Sequence, residues 1–207
     1  MMSEWNAARV RDTYNVSRES LAGLEAYHAL LMQWQARINL VANSTVDSVW
    51  GRHIADSLQL LPLLPRQANI IADLGSGAGF PGLALAIAGG QHVHLHESNG
   101  KKSAFLREAA RVTGASATVH MERIESAKPA SPVDAVTARA LAPLHQLLAY
   151  SEPWLSKGAI GLFLKGQDVD AEINEATICW NFAYKTHRSL TDSQGVILEV
   201  TSAERRA

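Results

Sequence analysis

A chain of 207 residues that is 47% hydrophobic can bury a sizeable core, which excludes disorder and suits one domain with an appendage or two small ones. Its net charge of −1 gives no overall basic signal for nucleic acid, so any RNA contact must rest on local patches. No apolar run reaches the length of a membrane span, the Met1–Arg11 stretch lacks an apolar signal core, and the single cysteine, Cys179, suits a reducing cytoplasm.

Residues 1–66 read as a helical extension. Leu21, Leu24, Tyr27, Leu30, Leu31, Trp34 and Ile38 recur at steps of three and four, the pattern of an amphipathic helix, with Ser17 as its N-cap. A second helix is expected from about Asp47 to Leu61, stopped by Pro62 and Pro65. Inside it lies Arg52-His53-Ile54-Ala55-Asp56-Ser57. Arg52 and Asp56 are four apart and suit a surface ion pair. His53 beside the apolar stripe suits a packed histidine. The functional alternative is that Arg52 and His53 face a substrate cleft.

Residues 67–207 read as an α/β sheet domain. Ile70–Leu74 is a buried parallel strand, and four glycines follow between Gly75 and Gly82. Glycine admits positive φ and a close ligand, and Pro81 suits the start of a buried helix. Strand, glycine turn and helix make the first unit of a doubly wound sheet, whose ligands bind at the strand ends. Gly77 to Gly82 matches G-x-G-x-x-G, a weak signal alone, and no Gly-Lys-Ser/Thr closes a P-loop. Glu97 ends the next strand, where an acid can hold two ribose hydroxyls of either NAD or S-adenosylmethionine. The register favours the methyl donor: Asp73 can accept from its ammonium group, directly or through a water, but would repel a pyrophosphate.

His92, His94 and His96 share one face of the second strand, with His120 on its neighbour. Alternate residues on a strand spread too far for one ion, so no metal is expected. Gly100–Val112 is a helix with a basic outer face, and Lys101 and Lys102 at its ligand end are candidates for phosphate contact. After a third strand, Ile124 can pack on an adenine ring and Glu125 can accept from its amine. Arg139 ends the fourth strand as a site candidate, or as a clamp on a loop carboxylate, Asp73 or Glu125. A helix starts at Pro143. Lys165 ends the fifth strand, a helix follows from Val169 to Cys179, and residues 182–188 and 196–200 complete the sheet as an antiparallel edge pair.

Asp73-Leu-Gly-Ser-Gly-Ala-Gly-Phe-Pro-Gly82, with Arg52-His53-Ile-Ala-Asp56-Ser57, resembles the RsmG (GidB) family of bacterial small-subunit ribosomal RNA methyltransferases. Glu97–Lys102, Arg123-Ile124-Glu125, Ala138-Arg139-Ala140 and Leu164-Lys165-Gly166 look like further motifs of that family, so the likeness runs along nearly the whole chain. Ala84, Glu97 and Ala138 depart from it where proline, aspartate and serine are common. The resemblance implies a class I S-adenosylmethionine-dependent methyltransferase: a Rossmann-like, mostly parallel seven-stranded sheet behind an N-terminal helical extension. It implies S-adenosylmethionine as donor and N7 of a guanine in a loop of 16S ribosomal RNA, naked or in the small subunit, as acceptor.

Carried over residue by residue, Gly75, Phe80, Ile124, Glu125 and Arg139 would bind the donor. Asp73, Gly77 and Glu97 join them from the reading of the strand ends. Arg139 and Lys165 are the candidate catalytic residues. Arg52, His53, Lys101, Lys102 and Lys165 are the candidate RNA-binding set. A cytoplasmic monomer is expected. An NAD-linked oxidoreductase should bring a proton donor such as Tyr-x-x-x-Lys, and that spacing is absent. A non-catalytic binding module would need neither strand-end charge.

Overall fold

The computed structural model describes residues 5–129 and 131–206. Seven strands form one sheet in the order β3-β2-β1-β4-β5-β7-β6: β1 (Ile70–Leu74), β2 (His92–His96), β3 (Ala117–His120), β4 (Ala135–Arg139), β5 (Ile160–Lys165), β6 (Trp180–Arg188) and β7 (Val196–Arg205). The first five pair in parallel. β7 runs antiparallel between β5 and β6, so β6 alone is the outer strand of the expected edge pair. Both are longer than expected, β6 starting at Trp180 and β7 running on to Arg205 through mostly exposed polar residues. The strand order reverses between β1 and β4, and a crevice opens there at the carboxyl ends of the strands.

One apolar core lies on each face of the sheet. On one side α1 (Ala7–Tyr14), α2 (Arg18–Gln35), α3 (Asp56–Leu58), α4 (Gly82–Gly89) and α5 (Gly100–Thr113) share a single cluster that runs from Val10, Leu24 and Leu31 to Ile71, Leu83 and Phe105. On the other, α6 (Leu144–Leu155) and α7 (Val169–Cys179) cover Val136, Phe163 and Leu198. α2 forms where its apolar periodicity places it. The Ser17 hydroxyl accepts from Ser20 N–H at 3.0 Å, and Leu24, Tyr27 and Leu31 are buried.

The expected second helix is not one helix. Residues Asn43–Ser48 form a 3₁₀ turn, Trp50–Ala55 a wide π turn, and only α3 is regular. A π turn changes which side chains face inward, and His53, Ile54 and Ala55 are buried in succession. Arg52 therefore does not pair with Asp56; it reaches across to Asp192 in the loop between β6 and β7. α4 begins at Gly82, one residue after the expected Pro81. The histidines of β2 do share one face. They bond across to β3 and the residues that flank it: His92 with Ser116 and Thr118, His94 with His120, and His96 with Glu122. Among the described residues no group of three or more His, Cys, Asp or Glu is placed to hold a metal ion.

Candidate active site

Two cavities open at the crevice, and the segment Ala140–Ala142 after β4 lines both. The smaller, about 290 Å³, lies over the glycine turn and is lined by Gly75, Gly77, Glu97, Lys102, Ile124 and Glu125 among others. Gly77 has φ +57°, and a Cβ there would meet only the Gly75 carbonyl at 3.8 Å; a side chain would stand in the cavity. Glu97, nearly buried, organises the turn: Oε2 accepts from Gly77 N–H at 2.9 Å and Oε1 from Asn99 N–H at 2.7 Å. Each carboxylate oxygen keeps a second lone pair for a hydroxyl.

Under the turn runs a stack of rings. Tyr27 of α2, fully buried, donates its hydroxyl to the Ala78 carbonyl. Its ring lies 5.2 Å from Phe80 and 6.2 Å from Phe105. Phe80 then stacks on His53 at 5.1 Å, and the Arg139 guanidinium sits 5.3 Å over the same ring. Gly79, at φ +95°, is where this packing comes closest, since a Cβ would lie 2.8 Å from the Tyr27 hydroxyl.

The larger cavity, about 790 Å³, lies between the π turn, the ends of β4 and β5, and the loop between β6 and β7. Arg139 enters it from β4, its guanidinium held on three sides. Nη2 donates to His53 Nδ1 at 2.8 Å, Nη1 donates to the Arg52 carbonyl at 2.8 Å, and Asp56 Oδ2 stands 3.5 Å away. Because Nδ1 accepts, the proton of His53 is on Nε2, which donates to Thr45 Oγ1 at 2.8 Å. Burial and the neighbouring charges of Arg139 and Arg52 lower the His53 pKa to about 3, so its ring is neutral. Asp56 Oδ1 accepts from Thr191 at 2.7 Å and Gln59 at 2.8 Å; burial still raises its pKa. Lys165 Nζ stands 2.5 Å from Glu172 Oε2 and 3.2 Å from the Ala142 carbonyl.

Residues 20–200 match the family described as rRNA small subunit methyltransferase G. The chain belongs to this family. It is 54% identical over 198 residues to ribosomal RNA small subunit methyltransferase G of Bradyrhizobium sp. (strain ORS 278), covering 93% of this chain and 89% of that one. It is 53% identical over 203 residues to the protein of the same name from Methylorubrum populi, covering 96% of each. Among solved structures, a glycopeptide N-methyltransferase complexed with S-adenosylmethionine superposes with TM-score 0.60 at 11% identity, over 74% of this chain and 95% of that one. An O-methyltransferase from Thermotoga maritima does so with TM-score 0.56 at 15% identity, over 86% and 72%. The fold is that of class I S-adenosylmethionine-dependent methyltransferases.

The expected site residues fall in the two cavities and outside them. Gly75, Gly77, Glu97, Ile124, Glu125 and Lys102 line the smaller cavity. Arg52, His53, Arg139 and Lys165 line the larger one. Asp73 and Phe80 line neither. Asp73 is fully buried, with Oδ1 accepting from Thr137 at 2.7 Å and Oδ2 packed against Gly82 without a hydrogen-bond donor; burial raises its pKa to about 6. Lys101 is exposed on α5 outside both cavities. The carboxylate beside Arg139 is neither Asp73 nor Glu125. It is Asp56, which comes from the extension and was legible only as a surface acid in an Arg-His-x-x-Asp pattern. Thr45, Thr191 and Glu172 carried no signal, since ordinary polar residues in turns and helices look the same.

Proposed function

We propose that the chain transfers the methyl group of S-adenosylmethionine to N7 of a guanine in small-subunit ribosomal RNA. The smaller cavity is the donor site and the larger one the seat of the target base. The observation that carries this reading is the shared wall: Ala140–Ala142 borders both cavities, so a donor in one and a base in the other meet there. Residues 1–66 then act as the extension that builds the base-side wall, and 67–207 as the methyltransferase domain.

The donor cavity fits S-adenosylmethionine. Gly77 leaves its floor open, Glu97 offers lone pairs to ribose hydroxyls, and Ile124 with Glu125 suits an adenine ring and its amine. Bound there, S-adenosylmethionine supplies an electrophilic methyl on a sulfonium. Asp73 is fully buried at the end of β1 and lines neither cavity, with Oδ2 lacking a hydrogen-bond partner.

Guanine N7 carries a lone pair and no proton, so the reaction needs no general base, and positioning supplies much of the rate. The loop after β4 reads Ala140-Leu141-Ala142-Pro143, not the Asn/Asp-Pro-Pro-Tyr/Phe that amino-group methylation uses on this fold. Cys179 lies at the far end of α7 and lines neither cavity, which leaves no thiol for carbon methylation of a pyrimidine. Arg139 and Lys165 are the strand-end cations that line the base cavity, and either suits guanine O6. The target must be unpaired or flipped to enter.

Two experiments separate the parts of this reading. Calorimetry with S-adenosylhomocysteine, NAD and ATP should give binding to the first alone, lost in Gly77→Val; binding of NAD instead overturns the donor assignment. Borohydride–aniline treatment of RNA after reaction should cut the strand at N7-methylguanosine; methylated RNA that resists cleavage overturns the acceptor atom.

A further inference from the structure

The base cavity carries a charged pair whose free atoms are arranged as donor beside acceptor. Lys165, at the end of β5, has a side chain only 9% exposed, and Glu172, on α7, one that is 23% exposed. Lys165 Nζ uses one proton on Glu172 Oε2 and one on the Ala142 carbonyl, which leaves a third. Glu172 Oε2 also accepts from the Leu144 N–H at 2.7 Å, which fixes the carboxylate against the start of α6. No described residue donates to Oε1. Both residues line the cavity, and Lys165 is tied to Ala142 on the wall shared with the donor site. The other acids nearby are held differently: Glu175 is 61% exposed and pairs with His145 at 3.6 Å.

We propose that Lys165 and Glu172 read the target base together, Lys165 donating to guanine O6 and Glu172 Oε1 accepting from N1–H. This rests on the larger cavity being the seat of the purine. Guanine presents an acceptor beside a donor along that edge, the complement of the pair. Adenine presents an amine donor beside the N1 acceptor, which is the reverse on both atoms, so donor would face donor and acceptor face acceptor. Uracil repeats the guanine order but has no N7. Glu172 is thus a specificity-determining residue, and the ion pair holds Lys165 in the register that O6 needs.

The test uses Glu172→Gln. Its amide oxygen can keep the contacts to Leu144 N–H and Lys165, while the amide nitrogen takes the place of Oε1 and turns a donor toward N1–H. Once the target guanosine is located, a small-subunit RNA fragment is assembled with either guanine or 2-aminopurine there; the analogue keeps N7, lacks O6 and has an N1 acceptor. Wild type should prefer guanine in kcat/KM by roughly tenfold to a hundredfold. Glu172→Gln should lose about tenfold or more on guanine, hold its rate on the analogue within about threefold, and bind S-adenosylhomocysteine as wild type does. Equal losses on both bases, or an unchanged preference, overturn the pair while N7 methylation by wild type still stands. A wild type that never methylates N7 overturns the functional reading beneath it. Glu172→Ala repeats the measurement should Glu172→Gln not fold, with the same collapse of preference expected.

Discussion

Arg139 shows how a single side chain is tuned by residues distant in sequence. It is largely buried, donates to a neutral histidine and a carbonyl, and has one carboxylate within reach. Removing that carboxylate's charge leaves the guanidinium without a counter-charge, the costly way to break a buried pair. Asp56→Asn should lower methyl transfer more than tenfold while the affinity for S-adenosylhomocysteine, measured by calorimetry, stays within about twofold; equal losses in both would place Asp56 in the donor site instead. His53, His94 and His96 have pKa values pushed below the ordinary histidine range, His53 to about 3 and His94 to about 4, chiefly by burial. The unfolded chain takes up protons near pH 6.5 that these rings refuse, so stability falls as pH drops through 6.5 toward 4. Asp73, raised to about 6, and Asp56, also raised by burial, work the other way, but His28 is lowered too, so two acids stand against four histidines. Thermal melts should give a lower Tm at pH 5 than at pH 7.5, and His94→Gln should narrow the gap. At this scale the sequence revealed Arg139 and Lys165 as strand-end charges. It concealed their partners, because Asp56 and Glu172 reach them through the fold and not through a local spacing.

The π turn Trp50–Ala55 and helix α2 do at the level of elements what Arg139 does as a residue: they join the two cavities. α2 delivers Tyr27 beneath the glycine turn, and the π turn lays His53 on Phe80. Tyr27→Phe keeps the ring and strands the buried Ala78 carbonyl, at a cost of about 1–3 kcal/mol in stability. S-adenosylhomocysteine binding should weaken severalfold with it, and calorimetry that shows wild-type affinity in a destabilised protein would break the link between extension and donor turn. The loop between β6 and β7 is tied to the same region, since Leu190 N–H donates to Gln59 Oε1 at 2.9 Å and Thr191 donates to Asp56. Elements with one strong periodicity were readable: β1 and β5 as buried apolar runs, β2 by its alternation, α2 as an amphipathic stripe. The 43–61 segment was not, because apolar residues at three- and four-residue steps suit an α turn and a π turn alike. The full length of β7 was hidden because its last residues, Thr201–Arg205, are mostly polar and exposed.

Across the whole molecule, charge is divided between the cavity and its surroundings. Asp56, Asp168, Glu172, Glu175 and Asp192 line the base cavity with Arg52, Arg139 and Lys165, so five acids face three cations. On the proposed reading such a cavity admits a base and repels a phosphate. On that same reading the backbone of the RNA is held outside, by Lys101 on α5 next to Lys102 of the smaller cavity. RNA affinity should fall with salt, with a slope of about −0.7 per phosphate contact for single strands, and Lys101→Glu should reduce that slope without changing donor affinity. A salt-independent affinity would move the RNA to another face. The helices of the extension share one apolar cluster with α4, α5 and β1, so the wall of the base cavity is as fixed as the sheet it stands on. The central claim is the atom that receives the methyl group. Small-subunit RNA incubated with the protein and isotope-labelled S-adenosylmethionine, digested to nucleosides and analysed by mass spectrometry, measures it directly. The label should appear in N7-methylguanosine, and label in an exocyclic amine, a ribose oxygen or an adenine would contradict the account.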